Sequence, residues 1–96
     1  MALNVTVTIK DHPHPLHVEV INPDRVRWDM TAHKHKWPSF ADAPFLGTTF
    51  LSWAALRRMK AYDGTFEDFR DRDCLNIEHE DDEDEKDEVE GVGNPI

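Results

Sequence analysis

From Leu3 to Lys10 the chain alternates Leu3, Val5, Val7 and Ile9 with Asn4, Thr6, Thr8 and Lys10. A period of two with β-branched residues on both faces predicts a strand buried on one side. Leu16, Val18 and Val20 against His17 and Glu19 predict a second strand. Between them, Pro13 and Pro15 lack the N–H that a ladder needs, so Asp11–Pro15 reads as a loop and the two runs as an antiparallel hairpin. Two strands alone are barely stable, and something apolar must cover one face.

The pattern then changes to a helical period. Asn22-Pro23-Asp24 reads as cap, first-turn proline and early acid, opening a helix from about Pro23 to Lys36. Val26, Met30, His33 and Trp37 share one stripe, expected to face the core, with Trp28 on roughly the opposite side. Trp37–Pro44 breaks that helix. Pro44 or Phe45 opens another, PFLGTTFLSWAALRRMK. On it Leu46, Phe50, Trp53 and Arg57 line one face, and Leu51 and Ala55 project nearly opposite. Phe45, Leu56 and Met59 fill a flank. Arg57, Arg58 and Lys60 crowd its C-terminal end, where the helix dipole favours cations. After the turn at Asp63-Gly64, Thr65 caps a short helix from Phe66 to about Arg72, with Phe66 and Phe69 inward. Cys74, Leu75 and Ile77 form a last packed segment. The fold class expected is α+β: an N-terminal β-hairpin packed on two or three α-helices, over residues 1–77.

Charge separates the remainder. Of the 20 acids and 11 bases, ten acids and one base fall between Glu78 and Glu90, leaving ten of each in residues 1–77. The net charge of −9 therefore resides in a C-terminal run, residues 78–96, expected to be a disordered acidic tail because like charges repel and have nothing apolar to bury. An acidic balance opposes binding nucleic acid through phosphates. The N-terminus lacks the pattern of a signal peptide, and no apolar run approaches the roughly 20 residues that span a bilayer. Cys74 is the sole cysteine, which rules out an internal disulfide. These features suggest a soluble, intracellular protein.

Candidate chemistry is sparse. His12, His14 and His17 sit around the hairpin loop, and His33 and His35 on the first helix. Their spacing matches no established zinc pattern, and Cys74 has no second cysteine near it. His33 is expected as a hydrogen-bonded, partly buried ring. No glycine-rich phosphate loop, nucleophile elbow or Cys–His pair is present. The expectation is no enzyme, no cofactor and no metal. The apolar circumference of the second helix is the informative feature. A body of about 77 residues has little with which to surround it, so Leu51, Ala55 and Phe45 are expected to meet another subunit or a client protein.

Trp53-Ala54-Ala55-Leu56-Arg57-Arg58, followed by Thr65-Phe66-Glu67-Asp68-Phe69, resembles tail assembly chaperones of long-tailed bacteriophages, especially those of actinobacterial hosts. The resemblance covers roughly residues 25–90. It implies a non-catalytic assembly factor, acting in the host cytoplasm, that binds the tape measure protein, keeps its apolar helices soluble and helps gather tail tube subunits. A longer form made by translational frameshifting is common in that family. The matching positions nominated for client contact are Phe45, Leu46, Phe50, Leu51, Trp53 and Leu56. Homo-oligomerisation is compatible with this reading; nucleic-acid and membrane partners are not expected. The rival readings are a structural virion component, such as a head–tail connector or minor tail protein, and a metal-dependent protein using the hairpin histidines.

Overall fold

The computed structural model describes residues 3–80. Strands β1 (Leu3–Ile9) and β2 (Leu16–Val20) form the hairpin. Helices α1 (Asn22–His35) and α2 (Pro44–Arg58) follow, then a single turn, α3 (Phe66–Asp68), which continues as a π turn over Phe69–Asp73. Strand β3 (Cys74–His79) closes the order. The fold is α+β, as the hydrophobic pattern implies. The sheet is wholly antiparallel in the order β2-β1-β3, so the strand formed last flanks the first.

The alternation of β1 sets the layers. Val5, Val7 and Ile9 are buried and, with Val18 and Val20 of β2, make an apolar face on which the helices lie. Asn4, Thr6 and Thr8 point the other way, opposite Glu19, His17, Glu78 and Asn76 across the ladders. β3 extends the sheet through His79, and the Glu80 N–H still donates to the Asn4 carbonyl at 2.9 Å. β3 and this bond carry the described fold to Glu80, three residues past Ile77. The acidic run from Asp81 onward lies outside the described residues.

Helix α1 corrects two expectations. Its cap is Ile21, which has no side-chain acceptor, so Asn22 falls inside the helix. Asp24 compensates by reaching back to accept from the Ile21 N–H at 3.0 Å. The buried face is also the opposite of the expected stripe. Trp28 and Ala32 point inward, whereas Val26 is 46% and Met30 68% exposed, and His33 is exposed as well. Area decides this: a buried aromatic ring removes more apolar surface from water than a valine or an unpacked methionine. Trp28 packs at ring-centroid distances of 5.6 Å from Phe50, 6.0 Å from Trp37 and 6.1 Å from Phe40.

The core also closes around α2 more fully than chain length suggests. Phe50, Leu51, Ser52, Trp53, Ala54, Ala55 and Leu56 are all buried. The sheet, the inverted Trp28 face of α1, and Phe66 and Phe69 surround them. Gly47 admits the Phe40 ring, since a Cβ there would lie 2.3 Å from Phe40 Cδ2. Ser52 meets its buried hydroxyl's need within the helix, donating to the Thr48 carbonyl at 2.9 Å. Thr65 caps α3 as expected, its hydroxyl accepting from the Asp68 N–H at 3.1 Å.

Candidate protein-binding groove

The six nominated contact residues divide sharply. Phe50, Leu51, Trp53 and Leu56 are buried in the core, and so is Ala55. Leu46 is half-buried against the same core. Phe45 alone stands out, 88% exposed. The contact face expected at Leu51 and Ala55 is thus replaced by a surface at the N-terminal end of α2.

That surface is built by two local devices. Pro44 opens α2 with its φ already helical and no N–H to leave unpaired, which places Phe45 in the first turn. Thr49, one turn on, donates to the Phe45 carbonyl at 2.7 Å. Opposite, β3 carries a bulge. Ile9 pairs with Cys74 but Thr8 pairs with Asn76, so Leu75 is an extra residue in the strand. Pushed off the ladder, it is 61% exposed. Between these lips runs a groove of about 330 Å³, lined by Pro44, Phe45, Thr48, Thr49, Leu75 and Ile77 among others. Ile77, half-buried opposite Val7, belongs to its apolar lining. β3 is also a border strand of the described sheet, and its outer edge has no strand partner among the described residues. The sequence places Leu75 with Cys74 and Ile77 in the last packed segment; the bulge instead turns it out to solvent, which the alternation of Leu75, Asn76 and Ile77 does not signal.

Polar contacts hold this frame. Asp24, buried, receives Arg58 Nε at 3.2 Å and Nη2 at 3.1 Å, and the same Nη2 donates to the Glu19 carbonyl at 2.8 Å. The hydrogen bond to Asp24 raises the Arg58 guanidinium above its ordinary pKa. One clamp thereby joins the end of β2, the start of α1 and the end of α2. At the other end of the sheet, Tyr62 donates to Asp73 at 2.6 Å, and Arg72 holds the same carboxylate at 2.7 and 3.0 Å. Asp73 is pulled down to about 2 by Arg72 and Tyr62, while burial and Asp73 push Tyr62 up to about 12. A shallow depression of about 640 Å³ lies there, its Lys10, Lys60 and Arg72 offset by Asp11, Asp63 and Asp73. Its tyrosine is locked as a donor, so at neutral pH it is a brace rather than a base. On the polar face of the sheet, Thr6 and His17 both bond the Glu80 carboxylate, the latter at 2.5 Å, and these bonds lower the Glu80 pKa.

Cys74 lies beside the groove, half-buried, and burial pushes its thiol up to about 11, so it stays protonated and unreactive near neutrality. His12 and His14 are exposed in the hairpin loop, and His35 stacks on Trp37 at 5.1 Å. Among the described residues, no three His, Cys, Asp or Glu side chains gather as a metal site, and no helix is long and apolar enough to cross a membrane. Compared with known proteins, the chain matches no family model, no curated protein and no solved structure.

Proposed function

We propose that this chain is a non-catalytic tail assembly chaperone of a long-tailed phage, holding an apolar helical segment of the tape measure protein in the groove between α2 and β3. The observation that carries the reading is Phe45, an aromatic ring left almost wholly in water beside the exposed Leu75. Apolar side chains framing one groove favour a partner surface over chance exposure. An amphipathic helix seats its anchors in such a groove at i, i+3 and i+4 spacing. The motif residues that carry the family resemblance, Trp53, Leu56, Phe66 and Phe69, are core in this fold. The resemblance thus bears on the scaffold, and the groove supplies the client contact. Action in the host cytoplasm and recruitment of tail tube subunits belong to the same proposal.

Co-production with a phage tape measure protein tests both parts. The wild-type chain should raise the soluble fraction of that client. Phe45→Asp with Leu75→Asp should abolish the effect, weakening affinity about 30-fold for a loss of ~2 kcal/mol. Because both side chains are exposed, stability should change by only about 0.5 kcal/mol. Unchanged solubilisation by a folded double variant would remove the groove from the proposal. Failure of the wild type would remove the chaperone reading itself.

A further inference from the structure

A second surface, on the other flank of α1, has different chemistry. Two guanidiniums lie over the Trp53 ring, Arg27 at 5.0 Å and Arg57 at 5.7 Å from its centroid. Its indole N–H is taken by the Gly64 carbonyl at 3.0 Å, and Arg57 Nη1 donates to the same oxygen at 2.9 Å. Neither Arg27 nor Arg57 has an ion pair with a carboxylate among the described residues, although Arg58, Arg70 and Arg72 all do. These two cations border a cleft of about 320 Å³ floored by Trp53, Phe66 and Trp37, where Glu67 is the only acid among the described lining residues. Guanidinium groups over aromatic rings, with their other N–H groups turned to solvent, match carboxylates in geometry and charge.

We propose that this cleft is a carboxylate-binding site whose occupant is the chain's own acidic run, Asp81–Glu90. Complementarity favours that occupant: the run carries eight acids against Lys86 alone. Tethering favours it over an acidic segment from elsewhere, because a linked ligand acts at an effective concentration in the millimolar range, while a foreign acidic chain is repelled by the net −9 of this one. The reach is adequate. β3 delivers Glu80 beside Asn4, and the neighbouring Leu3 lines a shallow depression with Arg25 and Trp28 of α1. The cleft takes Arg27, Thr31 and His35 from a neighbouring face of that helix, about 10 Å across, and ten extended residues span about 33 Å. Occupancy would cover the Trp37–Trp53 surface with carboxylates. This assignment is independent of the client groove.

The test is the Trp53 indole N–H resonance in the full-length protein. The comparison is a full-length variant with Asp81→Asn, Glu85→Gln and the matching amide change at the other six acids of the run. At about 20 mM NaCl the two proteins should differ at Trp53 and at Arg27 Nε. Wild-type signals should move onto the variant's positions as NaCl rises to about 0.5 M, where screening shortens to a few ångströms. Arg27→Gln should shrink the salt-dependent movement. Coincident, salt-independent signals in both proteins would overturn the proposal. A shift that grows with protein concentration would also overturn it, since the occupant would then be another molecule. Neither result touches client binding.

Discussion

Asp24 concentrates three roles in one carboxylate: it closes the first turn of α1, pairs with Arg58, and through Arg58 reaches the backbone of Glu19. Removing one partner of an enclosed pair costs about 3–5 kcal/mol, but the Arg58 side chain is one-third exposed, which weakens the Coulombic part. Asp24→Ala is therefore expected to lower unfolding free energy by about 2 kcal/mol in urea titration. Asp24→Asn, which keeps an acceptor for the Ile21 N–H, should cost less. The Tyr62–Asp73–Arg72 group sets the pH limits. Asp73 ionises below its ordinary value of 3.8, so its contribution is present above that value and is lost as pH falls toward 2. Tyr62 ionises above its ordinary value of 10.0, so its contribution is present below 10 and is lost as pH rises toward 12. Thermal melts across pH should show both limbs, with Asp73→Asn flattening the acid limb and Tyr62→Phe the alkaline one.

At the scale of elements, legibility followed how much freedom packing had to choose. The β1–β2 hairpin was readable because a one-residue slip would turn Val5, Val7 and Val18 to water. Helix α2 was readable because nearly every side can be buried. In α1 two faces competed. Val26, Met30 and Trp37 outnumber Trp28 and Ala32, yet Trp28 meets three rings, while the outer stripe meets solvent. Trp37 joins the same cluster from beyond the helix end, so its position on the helical wheel was irrelevant. Trp28→Ala should cost about 3–5 kcal/mol and Met30→Ala no more than about 0.5, a contrast that equilibrium denaturation would measure directly. Equal losses would restore the face expected from periodicity. The candidate groove was half legible: Phe45 was nominated for its apolar character, but nothing in periodicity could show that its companion would be a residue squeezed out of β3.

Across the whole molecule, a single core joins both ends of the described chain. Phe69, fully buried beside Tyr62, ties the π turn to α2 and delivers the chain into β3 next to β1. Phe69→Ala should therefore cost about 3–5 kcal/mol and weaken β3, hence the groove, before the hairpin. Hydrogen exchange would report this as earlier loss of protection at Thr6 and Asn76, both in the β1–β3 ladder, than at Val18.

The bulge at Leu75 has one more consequence. A straight, unprotected border of six residues is a template on which identical chains stack into fibrils, and an irregular kink spoils the template. Deleting Leu75 would let Cys74 and Asn76 follow one another in perfect step with Ile9 and Thr8. The shortened protein should be no less folded, yet it should seed thioflavin-positive aggregates at concentrations where the parent stays clear.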